Sequence, residues 1–115
     1  MEESQLEVAM GLIAGAGDSR SYCMEAIDLA KEGKFDAARE SIKQAVEAMV
    51  DTHEVQTQMI RDEMSGKAWP VSLLMVHAQD HLNLALIMRD VAEEFIIVHE
   101  KLKALEAQIK CSPSH

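Results

Sequence analysis

The segment His77-Ala78-Gln79-Asp80-His81 is the densest group of side chains capable of chemistry in this sequence. On a helix, i, i+3 and i+4 positions share one side, so both imidazoles and the carboxylate come within reach of common partners. A neutral imidazole is a competent phosphoryl acceptor near pH 7, and the apolar neighbours Leu74, Met75 and Val76 favour the uncharged form. One ring can then act as nucleophile while the other orients what it attacks. Two histidines one turn apart can also chelate a transition metal, although two ligands alone make a weak site. The third reading is a pair of core histidines satisfied by packing. It carries the desolvation cost of burying two imidazoles and a carboxylate with no chemical return.

The other histidines narrow the field. His53-Glu54 begins as the zinc-protease motif does, but Thr57 stands where the second histidine is required. Di-iron bundles need a glutamate three residues before a histidine. Those five positions hold Val50, Leu74, Ala78, Ile96 and Ser112, which excludes that class. His99, between Val98 and Glu100, and His115, in the tail, are expected to be solvated.

The elements that must position the cluster are helices. The 115 residues suit one domain over 1–115, and the chain is 48% hydrophobic with only 3% aromatic residues, a core of Leu, Ile, Val, Met and Ala. That composition argues against a β-sandwich. Gly33-Lys34 and Ser65-Gly66-Lys67-Ala68-Trp69-Pro70 are the convincing breakers. They predict helices over about 3–32, 35–64 and 71–110, with Gly33 closing the first, Pro70 opening the third, and a frayed tail over 111–115. Gly11, Gly15 and Gly17 predict a kink or a close helix approach in the first helix. Links this short imply antiparallel neighbours, hence an all-α, up-down-up three-helix bundle.

Two apolar seams run along the third helix. Leu74, His77, His81, Leu84, Met88, Val91, Phe95, Val98, Leu102, Leu105 and Ile109 follow 3-4 spacing, and this seam is expected to face the first two helices. Beside it run Leu73, Val76, Asp80, Asn83 and Ile87, a face that calls for a second subunit. In the second helix, Ile42, Val46, Met49, His53, Gln56 and Ile60 are expected to point inward, with His53 and Gln56 as polar interruptions. Eleven basic against twenty acidic residues give a net charge of −9, which repels phosphate backbones and excludes nucleic acid as a natural partner. The N-terminus Met1-Glu2-Glu3 is unlike a secretory signal, no apolar run reaches the ~18 residues of a membrane span, and Cys23 and Cys111 form no framework. The expectation is a cytoplasmic protein with reduced thiols, not inserted in the membrane.

Val71-Ser72-Leu73-Leu74-Met75-Val76-His77-Ala78-Gln79-Asp80-His81-Leu82 resembles the active-site signature of the lactose/cellobiose (diacetylchitobiose) family of enzyme IIA components. These serve the bacterial phosphoenolpyruvate-dependent sugar phosphotransferase system. The resemblance extends to Met10-Gly11-Leu12-Ile13 in the first helix, Gly33-Lys34-Phe35-Asp36-Ala37-Ala38 at the first turn, and His53-Glu54-Val55-Gln56-Thr57 in the second helix. It implies that His77 takes a phosphoryl group from the phosphocarrier HPr and passes it to a cysteine of the cognate enzyme IIB. It implies a homotrimer in which Asp80 meets its symmetry mates around a divalent cation, usually Mg2+, while His81 and Gln79 line the phosphoryl site. Two other readings stand beside this one. A histidine phosphotransfer domain carries Lys and then Gly three and four residues after its histidine, whereas Asp80 and His81 follow His77, and Leu84 and Ala85 follow His81. A non-catalytic helical or metal-binding module would use the histidines as staples.

Overall fold

The computed structural model describes residues 2–111. Three helices, α1 (Glu3–Lys31), α2 (Phe35–Met64) and α3 (Leu73–Cys111), run up, down and up in a rod 72 × 22 × 21 Å, with no strand among the described residues. α1 packs extensively on both partners, and α2 touches α3 less. The first two helices end in the same way. Gly33 and Gly66 adopt φ of 78° and 84°, a region that suits glycine. The Gly33 N–H donates to the Ala30 carbonyl (3.0 Å) and the Lys34 N–H to the Leu29 carbonyl (2.9 Å). Gly66 and Lys67 repeat this on Glu63 (3.1 Å) and Asp62 (2.8 Å). Both are Schellman closures that satisfy the last helical carbonyls.

Pro70 does not open α3. The helix starts two residues past position 71, because Ser72 caps it: its hydroxyl accepts from the Met75 N–H at 3.1 Å, and its carbonyl accepts from Val76 at 3.0 Å. At the other end Cys111 is the last residue of α3 and not part of a tail, while residues 112–115, His115 included, lie outside the described residues.

Small residues decide how the helices meet. Ala9, Leu12, Ala16, Ser19, Cys23, Ala26 and Ala30 are buried along α1 at 3-4 spacing. They face Ala38, Ile42, Ala45, Met49 and Thr52 of α2. The Ser19 hydroxyl donates to the Ala45 carbonyl at 2.8 Å across this seam. At Gly15 the approach is so close that an added Cβ would lie 2.0 Å from Oγ1 of Thr52, whereas Gly11 and Gly17 have open space around them.

The inward face of α3 differs from the sequence expectation. Its buried residues are Met75, Ala78, Leu82, Ala85, Ala92 and Ile96. This stripe lies one residue on from Leu74, His77, His81, Leu84, Val91 and Phe95, about 100° around the helix. Ala78, Ala85 and Ala92 let α3 lie close against α1, so the larger side chains are turned outward. Leu84, Val91, Phe95, Val98, Leu102, Leu105 and Ile109 are exposed, as are Leu73, Val76 and Ile87 of the second seam. Leu74 and Met88 are half-buried at the edge of the core. On α2, Ile42 and Met49 point inward as expected. Val46, His53 and Ile60 are exposed, because Ala45 and Thr52 take the positions that face the closely packed α1.

Candidate functional site

The site is built on the first turns of α3. Ala78 and Leu82 are fully buried against the other helices, which fixes the rotation of α3 and sends residues 77, 80 and 81 outward. His77 is exposed and His81 half-buried. Their Nε2 atoms lie 3.1 Å apart, with ring centroids at 4.5 Å and planes at 88°. At that separation one nitrogen donates and the other accepts, and the tautomers decide which. His81 also borders a cleft on the α1 side, lined by Ile13, Gly17, Arg20, Met24, Glu25 and Asp28.

Gln79 is set apart from the imidazoles. It faces α2, where its Oε1 accepts from Nε2 of Gln56 at 2.7 Å, and its own Nε2 lies 3.8 Å from the sulfurs of Met59 and Met75. This half-buried amide pair ties α2 to α3 one turn from the histidines. Gln56 left a signal in the sequence as a polar break in an otherwise apolar stripe. Trp69 left none, yet it closes this end of the bundle. It packs against the buried cluster that contains Met75, and its indole N–H donates to Oδ2 of Asp62 at 3.1 Å. The Gln58 amide, and then the Trp69 N–H, hold the Asp62 carboxyl below its ordinary pKa.

Asp80 is exposed and has no hydrogen-bond or ion-pair partner among the described residues. It shares the outer face with the exposed Leu73, Val76 and Ile87. Among the described residues, no three His, Cys, Asp or Glu side chains gather to hold a metal ion. One chain therefore offers a single carboxylate, while a hard divalent cation takes six or so oxygens. An unpartnered carboxylate in an apolar strip fits a cation that several copies share with water.

The remaining histidines lie elsewhere. His53 is exposed on α2. His99 is half-buried and not solvated as expected: its ring stacks on Phe95 (centroids 6.3 Å, planes 25°) and lies by Phe35 and Leu102. No helix among the described residues is long and apolar enough to cross a membrane.

A three-helix bundle of this form is shared with proteins of known role. Residues 7–100 match the family described as "PTS system, Lactose/Cellobiose specific IIA subunit". The lichenan-specific phosphotransferase enzyme IIA component of Bacillus subtilis is 39% identical over 102 residues, 89% of this chain and 93% of that protein. The crystal structure of the cellobiose-specific enzyme IIA from Bacillus anthracis superposes with a TM-score of 0.86 at 38% identity, covering 90% of this chain and 95% of the other. The IIA component in the solution structures of the chitobiose IIA–HPr complex from Escherichia coli gives 0.74 at 41% identity, covering 90% and 99%. The chain belongs to the lactose/cellobiose-specific IIA family of the sugar phosphotransferase system. It is thus a phosphotransferase of that sugar system, built as three helices.

Proposed function

We propose that His77 is the phosphoryl-carrying residue, accepting the group from HPr and passing it to a cysteine of the cognate IIB. The observation that carries this reading is the 3.1 Å contact between the Nε2 atoms of an exposed His77 and a half-buried His81. The exposed ring can meet a docking protein, and the anchored ring holds it in place. In the first step the Nε2 lone pair of His77 attacks phosphorus as the bond to HPr breaks. The His81 N–H, no longer engaged with the bare nitrogen, donates to a phosphoryl oxygen and offsets its charge. In the second step the IIB thiolate attacks, the N–P bond breaks, and His77 is restored. Gln79 supports the site from behind, through Gln56 and the α2 contact. HPr as donor is supported by the solved complex of the chitobiose relative. Cytoplasmic operation follows from that role.

The same reading includes a homotrimer. The outward seam of α3 is long, apolar and 3-4 spaced, and a lone chain leaves it in water. Three copies of Asp80 then converge, and their repulsion is offset by a divalent cation such as Mg2+. When bound, that ion supplies charge neutralisation at the subunit contact.

Intact-mass measurement after incubation with phosphoenolpyruvate, enzyme I and HPr tests the carrier role. The expected result is one phosphoryl group per chain, and none on His77→Ala at unchanged helicity. A His77→Ala protein that still gains the group overturns the assignment.

A further inference from the structure

We propose that the His77–His81 pair also binds a transition-metal ion of the Zn2+, Ni2+ or Cu2+ class, and that this ion and the phosphoryl group exclude one another. The exclusion rests on the reading of His77 as phosphoryl acceptor, whereas the binding does not.

The geometry is that of a two-point chelate. An ion about 2.0–2.1 Å from each imidazole nitrogen spans a 3.1 Å Nε2···Nε2 gap at an angle of roughly 100°, near tetrahedral. Both rings stand on consecutive turns of a helix anchored by the buried Ala78 and Leu82, so rotation of the side chains alone turns both lone pairs onto one ion. His77 is exposed, so the ion reaches the site from solvent. With no third His, Cys, Asp or Glu gathered there among the described residues, water fills the other coordination positions, and binding is reversible. The net charge of −9 favours a cation's approach.

The chemistry balances without a further reactant. The aqueous ion takes the lone pairs of both Nε2 atoms and sheds two of its waters, while the proton that the two nitrogens share moves, by exchange with water, to Nδ1 of its own ring, so that both imidazoles stay neutral and none is released net. The His77 lone pair that holds the ion is the one that would attack phosphorus, so a chain cannot carry both. Imidazole nitrogen suits borderline ions, whereas Mg2+ prefers oxygen and stays with carboxylates. The ion at this pair is therefore distinct in class from the cation assigned to Asp80.

The test is calorimetric titration with zinc chloride, nickel chloride or copper chloride alone, on full-length protein carrying Cys111→Ser so that the exposed thiol does not compete. One ion per chain is expected, with Cu2+ bound more tightly than Ni2+ or Zn2+. His77→Ala and His81→Ala are each expected to lose measurable binding, and His53→Ala and His99→Ala to keep it. Unchanged binding in either of the first two variants, or displacement of the ion by Mg2+, overturns the site. Exclusion is read separately, with phospho-HPr freed of enzyme I as donor. Zn2+ is expected to slow phosphoryl uptake by the wild type, with recovery on adding a chelator, and to leave the slower uptake of His81→Ala unaffected. If Zn2+ binds as described but wild-type uptake does not slow, the exclusion fails and the metal site stands. If His77→Ala loses the metal yet still takes up phosphate, the carrier reading fails instead.

Discussion

An imidazole that accepts a phosphoryl group needs one unprotonated nitrogen aimed at solvent and a neighbour that holds it there. In the proposed carrier role His77 and His81 divide these tasks by exposure: the exposed ring would meet the donor and the half-buried ring, 3.1 Å away, would fix its direction. Replacing His81 with Ala is therefore expected to slow uptake while leaving the acceptor in place, measured as a lower initial rate with the same final stoichiometry. An unchanged rate would remove the orienting role. Trp69 is the sole tryptophan, and its indole bond to Asp62 supplies an optical report on this end of the bundle. The Asp62 carboxyl is held below its ordinary pKa by Gln58 and then Trp69, so these bonds contribute their full stability above that ordinary value. The contribution is lost as pH falls through the lowered value. Tryptophan emission is accordingly expected to change with a midpoint below the usual aspartate range, and to show no such transition in Asp62→Asn. The histidine pair was legible from the i, i+4 spacing alone. The partner of Gln79 was not, because spacing along α3 says nothing of which α2 residue faces it.

Helix identity and the glycine-closed ends were legible because glycine acts locally: Gly33 and Gly66 each close an element through their own backbone. The start of α3 was not, since the Ser72 hydroxyl and not Pro70 sets it. Rotation of α3 about its axis was not. The expected inner seam and the observed one are both 3-4 spaced, and hydrophobicity favours the stripe of larger residues. Close packing favours the stripe that contains Ala78, Ala85 and Ala92, since small side chains let backbones approach and keep the core dense. Gly15 marks a similarly close approach between α1 and α2, at Thr52. Gly15→Ala gains helix propensity of about 1 kcal/mol. The clash with Thr52 is nevertheless expected to leave it about 1–3 kcal/mol less stable in denaturant unfolding. Thr52→Ala in the same chain is expected to recover most of that loss. If Gly15→Ala alone is stabilising, α1 and α2 do not approach as closely as described.

At the scale of the whole molecule, the outward seam and Asp80 belong to one feature. In the proposed trimer, the larger apolar side chains on the outside of one helix of a rod 72 Å long form the subunit surface, and the carboxylate within it needs a counter-charge once copies meet. Light scattering is expected to give about three times 12.8 kDa at micromolar concentration, and a clean monomer mass would sink the assembly. A chelator is expected to lower the melting temperature of the wild type at neutral pH, with Mg2+ restoring it. Asp80→Leu replaces every copy of the carboxylate at once. It is expected to remain trimeric and to melt at one temperature with or without chelator. If chelator affects both proteins equally, or neither, Asp80 holds no cation at a subunit contact. The most direct measurement follows radiolabelled phosphate from phosphoenolpyruvate through enzyme I and HPr to the cognate IIB, with this chain as the sole IIA. With wild-type protein the label is expected to appear on the IIB cysteine, and with His77→Ala to stop at HPr. Label reaching IIB through His77→Ala, or held on the wild type with IIB present, would contradict a carrier that works through His77.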